Sequence, residues 1–234
     1  MKITNSFKAT SKIIIAAIAL SAALISCTKE TDMTPIEISG LSIIHASPTS
    51  EKLDIFIDSE KANSTDLSFT NKIDYLNVLS GSRKVVVKKK GVTDALLTDT
   101  LTLEPQKGYS LFVIDKIGTL KYLIVKDSLS TPAAGKASVR FVNASPDAPA
   151  LNLSIGGSTT DLVSNKSFKG YSDFITIDAA DKVTFNLKNK ETGAVEASIA
   201  DVKIEAGKIY TIWAKGLKVA TDDTKLGVSV FTHK

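Results

Sequence analysis

Few side chains in this chain of 234 residues carry the makings of chemistry: one cysteine, Cys27, and two histidines, His45 and His233. Zinc sites need several Cys or His ligands at short spacings, and neither a His-x-x-x-His pair nor a second cysteine is present. No Gly-x-Ser-x-Gly stretch offers a strained serine nucleophile. Asp54 and Asp58 fall on one face of a single extended segment, which suits solvated charge better than paired acid and base work. Gly156-Gly157-Ser158 follows a strand pattern with no helix pattern after it, so it lacks the helix N-terminus that a phosphate cradle uses. The sequence therefore predicts no catalytic residue, no metal site and no cofactor. What remains is a set of small polar residues in a phrase spelled twice: Asn143, Ser145 and Asp147 in Asn-Ala-Ser-Pro-Asp, with His45 and Ser47 in His-Ala-Ser-Pro. Asn, Ser and Asp accept hydrogen bonds from nearby amides and shape corners. In a loop they also suit a sugar hydroxyl or a calcium ion.

The elements that position these residues begin after an N-terminal address. Lys2, Lys8 and Lys12 precede an uncharged apolar run from Ile13 to Ile25, the layout of a secretory signal peptide. That run falls short of the roughly 20 apolar residues a membrane span requires. Leu24-Ile25-Ser26-Cys27 resembles the lipobox of bacterial lipoproteins, which implies cleavage after residue 26 and lipidation of Cys27. Residues 27–39, polar and turn-rich, read as a flexible tether. Losing the three lysines lowers the formal charge from +4 to +1, which leaves no sustained basic excess for a nucleic-acid partner. The predicted address is the outer membrane, on its periplasmic or surface face, with the membrane reached through the N-terminal lipid.

The repeated phrase sets the domain plan. Ala46-Ser47-Pro48 aligns with Ala144-Ser145-Pro146 at an offset of 98, and Leu53, Ile55 and Ile57 then fall on Leu151, Leu153 and Ile155. Leu101-Thr102-Leu103-Glu104 with Tyr109 answers Val202-Lys203-Ile204-Glu205 with Tyr210, and Tyr75 answers Phe174 as a shared core position. Two modules follow, 40–130 and 136–234, joined by a linker at 131–135. Short segments rich in β-branched and aromatic residues, among them Val139 to Val142, Val183 to Leu187 and Ile209 to Ala214, alternate with Gly, Asn, Asp and Pro. Period-two alternation in Leu53 to Asp58 and Leu151 to Ile155 predicts one buried and one wet face. About seven strands per hundred residues predict two tandem antiparallel Greek-key sandwiches of immunoglobulin type. Proline at 48 and 146 ends the first strand of each module, because it fixes φ and removes a donor. Lys88-Lys89-Lys90-Gly91 reads as a charged hairpin tip, and Trp213 as a core or inter-sheet anchor.

Val139-Arg140-Phe141-Val142-Asn143-Ala144-Ser145-Pro146-Asp147-Ala148-Pro149, then Leu151-Asn152-Leu153 and later Gly207-Lys208-Ile209-Tyr210-Thr211, resembles the family described as domain of unknown function 4397. The first copy departs from it, with Thr49-Ser50 in place of Asp147-Ala148 and no second proline. The resemblance implies an immunoglobulin-like sandwich outside the cytoplasm and brings no activity. Together these features predict a noncatalytic interaction module for an unknown protein or glycan. A carbohydrate- or polymer-handling accessory protein, or a hydrolase with an unrecognised site, is the alternative.

Overall fold

The computed structural model describes residues 35–233, so Cys27, the lipobox and most of the tether lie outside the described residues. Among the described residues every regular element is a strand. In the first half these are β1 (Ile38–His45), β2 (Leu53–Ile57), β3 (Glu60–Lys61), β4 (Lys72–Leu79), β5 (Gly81–Lys89), β6 (Ala95–Leu103), β7 (Gly108–Ile114) and β8 (Lys121–Asp127). The second half repeats the series as β9 (Lys136–Asn143), β10 (Leu151–Ile155), β11 (Asp161–Lys166), β12 (Ile175–Asp178), β13 (Ala180–Asn189), β14 (Val195–Ile204), β15 (Ile209–Lys215) and β16 (Gly227–Thr232).

Each half is a pair of four-stranded sheets with Greek-key crossovers. The orders are β4-β1-β7-β8 over β3-β2-β5-β6, and β12-β9-β15-β16 over β11-β10-β13-β14. The fold is the expected all-β tandem sandwich, with one departure from wholly antiparallel pairing. β1 runs parallel to β7, and β9 to β15, in matching registers such as Leu41 opposite Tyr109 and Val139 opposite Tyr210. Parallel neighbours need a long connection, and five intervening strands supply it in each half. The repeated Glu and Tyr of the closing unit also gain a reason. Tyr109 Oη accepts the Glu104 amide at 3.0 Å and Tyr210 Oη the Glu205 amide at 3.0 Å, so each tyrosine pins the corner before its own strand.

Three apolar clusters hold the stack together. Leu53, Ile55, Val85 and Val87 pack on Leu41, Ile43, Leu111 and Val113 inside the first sandwich. Leu151, Leu153, Phe185 and Leu187 pack on Val139, Phe141 and Ile212 inside the second. The third cluster joins the halves: Ile44, Phe112, Ile114 and Val125 meet Val142, Ala144 and Trp213. The two central sheets are therefore buried on both faces, which explains why Leu111 to Ile114 and Ile212 to Ala214 are unbroken apolar runs while β2 alternates. Trp213 and its counterpart Phe112 touch edge to face at 6.0 Å between the sandwiches.

Candidate functional site

The repeated phrase forms a turn at one end of each central strand. The Ala46 amide donates to the Val113 carbonyl and the Ala144 amide to the Ala214 carbonyl, so each turn extends the parallel ladder by one bond before proline stops it. Beyond that point the copies differ. Asn143 Nδ2 donates to the Lys166 carbonyl at 2.9 Å, and its Oδ1 accepts the Ser145 amide at 3.1 Å. Ser145 Oγ donates to the Gly216 carbonyl at 2.7 Å. Asp147 accepts the Lys218 amide at 2.7 Å and the Val219 amide at 3.2 Å, which ties the loop after β15 to the turn. Gly216 lies at φ +81°, and a Cβ there would come within 2.2 Å of the Lys225 carbonyl oxygen, so only glycine closes this loop.

In the first copy the same positions are less occupied. His45 is fully buried; one ring nitrogen, Nε2, lies 3.1 Å from the Glu51 carbonyl, while Nδ1 has no partner. Burial pulls its pKa down to about 4, so the ring is neutral at pH 7 and Nε2 carries the proton donated to Glu51. Ser47 Oγ is buried without a partner as well. Thr49 Oγ1 accepts the Glu51 amide at 3.1 Å.

Beside the first turn both halves contribute to one cleft of about 470 Å³. The first half supplies Thr49 and Ser50 from its turn and Ser68, Phe69 and Thr70 from the loop before β4. The second supplies Lys215 and the Asp222-Asp223-Thr224 bend, part of the loop that Ser145 and Asp147 hold in place. Lys215 Nζ lies 5.6 Å from the centre of the Phe69 ring. Asp222 Oδ1 accepts both the Thr224 amide at 2.9 Å and the Thr224 hydroxyl at 2.6 Å, and these bonds hold its carboxyl below the usual range. Thr70 takes the left-handed conformation at φ 75°, an uncommon setting for a β-branched residue. The sequence singled out the turns and missed the cleft, because Phe69, Lys215 and Asp222 meet only once the sandwiches stack.

A buried polar network at the junction of the halves also escaped the sequence reading. Arg140, 1% exposed in its side chain, places Nη1 2.6 Å from Asp127 Oδ1 of the other half, off the line of a straight hydrogen bond. Its Nε donates to Thr211 Oγ1 at 2.8 Å and its Nη2 to Ser110 Oγ at 2.9 Å. The guanidinium stacks over Phe174 at 4.8 Å. Ser110 and Tyr75 both donate to Asp127. His233 completes the circuit, Nδ1 at 2.8 Å from Tyr75 Oη and Nε2 at 2.7 Å from Thr211 Oγ1. Since the Tyr75 hydroxyl proton goes to Asp127, its oxygen takes the Nδ1 proton, and Thr211 donates to Nε2. A neutral imidazole meets both demands. Burial first, then Arg140 and Lys72, lower the His233 pKa to about 3. Burial and the Asp127 charge raise that of Tyr75, keeping the phenol protonated. Tyr75 and Phe174, expected in the sandwich cores, are instead half-buried members of this junction. The only hint in sequence was an arginine inside the apolar run Val139 to Val142.

Among the described residues no group of three or more His, Cys, Asp or Glu side chains is placed to hold a metal ion, and no helix is long and apolar enough to cross a membrane. No curated protein matches the chain. Several solved structures overlap it, among them three of low identity. The family 26 carbohydrate-binding module of Eubacterium rectale Amy13K, in complex with maltoheptaose, is 12% identical, with 82% of this chain and 96% of that one covered at a TM-score of 0.27. A streptococcal virulence factor that binds α-glucan is 14% identical, with 81% and 96% covered at 0.25. A putative cell adhesion protein from Bacteroides eggerthii is 10% identical, with 85% and 96% covered at 0.24. These likenesses are too distant to bear on the ligand. The family model described as Domain of unknown function (DUF4397) matches residues 39–154, the first sandwich together with β9 and most of β10. That stretch takes in both copies of the repeated turn, and the chain is a DUF4397 domain-containing protein.

Proposed function

We propose that the chain is a noncatalytic, lipid-anchored protein of the bacterial cell envelope that presents the turn end of its stacked sandwiches to a protein or glycan outside the cytoplasm. One observation carries this reading. Both copies of the repeated turn shape loops at the same end, and those loops close on a cleft that neither half forms alone. The recess is of the size of small-ligand sites and brings convergent polar groups to one aromatic side chain, Phe69. The lipobox-like Leu24-Ile25-Ser26-Cys27 and the near-neutral mature charge support the anchor and the extracytoplasmic address.

Two experiments test it. Cells making the wild-type chain are expected to incorporate labelled fatty acid into it, and Cys27→Ala is expected to abolish both the label and membrane fractionation; equal labelling of the two would remove the anchor. For binding, the full chain in detergent is expected to capture an envelope component that Asp223→Ala, at an exposed position of the cleft, retains poorly. Equal capture by the two proteins would overturn the cleft as the binding surface. Protease treatment of intact cells carrying a C-terminal epitope then separates the two faces of the outer membrane. Loss of the epitope places the module at the surface, and survival until the membrane is broken places it in the periplasm.

A further inference from the structure

We infer that the cleft between the first turn and the loop after β15 is a subsite for a neutral saccharide, an inference that rests on the binding role proposed above. Three features select this ligand class. The first is charge. The lining carries one cation, Lys215, and two carboxylates, Asp222 and Asp223, so the cleft has an excess of negative charge and an anionic polymer meets net repulsion. A bare cation is no better served. Asp222 Oδ1 already takes two bonds from Thr224, and two carboxylates are fewer than the ligands calcium ordinarily gathers.

The second feature is the chemistry of the walls. Hydroxyls of Thr49, Ser50, Ser68 and Thr70 both give and accept hydrogen bonds, the carboxylates accept and the ammonium donates. That mixture answers the adjacent hydroxyls of a sugar ring. Phe69 adds an apolar surface for the C–H face of such a ring. About 470 Å³ is within the range of sites for small ligands, roughly 300–1,000 Å³.

The third feature is the contrast with the other copy. There Ser145 and Asp147 spend their hydrogen-bonding capacity on the loop at 216–219. At the equivalent of Thr70 the second copy has an unbranched residue, Lys169, in the same left-handed conformation at φ 70°. A β-branched residue is strained there, and the first copy keeps one where its hydroxyl lines the cleft.

The full chain in a non-sugar detergent is titrated calorimetrically with neutral glucan, mannan and xylan oligosaccharides, with oligogalacturonate, and with calcium chloride alone. A neutral oligosaccharide is expected to bind, and oligogalacturonate and calcium are not. Phe69→Ala is expected to weaken binding at least tenfold, while Phe168→Ala, the counterpart in the second copy, leaves it unchanged. Phe69→Ala also opens a hole beside the central cluster, so the exposed Asp223→Asn serves as a second variant and is expected to weaken binding several-fold in a fully folded protein. Thr70→Gly relieves the strain; its melting temperature is expected to rise while affinity falls, whereas a purely structural threonine would raise stability and leave affinity alone. The inference is overturned if no neutral oligosaccharide binds, if oligogalacturonate or calcium binds instead, or if Asp223→Asn and Phe69→Ala bind like wild type. Should the panel give no heats while envelope capture still depends on Asp223, the saccharide falls and the binding role stands.

Discussion

The two turns share a backbone and differ in how fully their polar atoms are occupied. Asn143, Ser145 and Asp147 find partners and fasten a loop, whereas His45 leaves Nδ1 and Ser47 leaves Oγ buried and unmatched. A buried group without a partner costs about 1–3 kcal/mol. One copy of the repeat thus acts as a fastener, and the other contributes Thr49 and Ser50 to the cleft.

The same divergence governs the junction, where equivalent positions face each other and have become complementary. β1 carries Ser42 where β9 carries Arg140, β7 carries Ser110 where β15 carries Thr211, and Asp127 stands where the second copy has His233. The largest effect is expected there. Asp127→Ala or Arg140→Ala strands a buried charge and is expected to cost about 3–5 kcal/mol, read from urea denaturation. The double variant is expected to cost clearly less than the sum of the two; simple additivity would mean that the ion pair does not couple the sandwiches.

Next in size is the response to acid. Both histidines are neutral in the fold, with pKa values lowered to about 4 and about 3, and each takes up a proton once unfolded near pH 6.5. Their stabilising contribution is therefore complete above pH 6.5. It is lost as pH falls toward 4 for His45 and toward 3 for His233, at about 1.4 kcal/mol per pH unit for each. His45→Asn, which gives the first turn the residue of the second, is expected to halve the histidine part of that slope between pH 6.5 and 4. An unchanged slope in urea midpoints at pH 7, 5 and 4 would mean that His45 is not buried as described.

The smallest effect separates the turns most directly. Ser145→Ala removes a bond to the Gly216 carbonyl and is expected to cost about 1 kcal/mol. Ser47→Ala removes a hydroxyl with no partner, so thermal unfolding is expected to show no loss or a slight gain. Equal losses would show that the two turns are held alike.

Much of this was legible in the sequence because it is written locally. Period-two alternation in Leu53 to Asp58 gave the strand and its buried face, proline gave the strand end, and the echo of Leu101 to Tyr109 in Val202 to Tyr210 gave the second module. The candidate turn residues were legible by type, since Asn, Ser and Asp beside proline mark a corner, but the partners of Ser145 and Asp147 were not, for they lie in the distant loop after β15. Phe69 and Asp222 were not, since nothing in either neighbourhood marks them out. The amino-acid sequence by itself determined the strands, their corners and the duplication, for these follow from side-chain period, proline and backbone hydrogen bonding over a few residues. Only the tertiary structure decided that the central sheets stack face to face, that Arg140 meets Asp127, and that two loops from different halves share a cleft. Contacts across 13 residues or across 153 leave the same trace in a chain, which is none until the apolar faces have chosen each other.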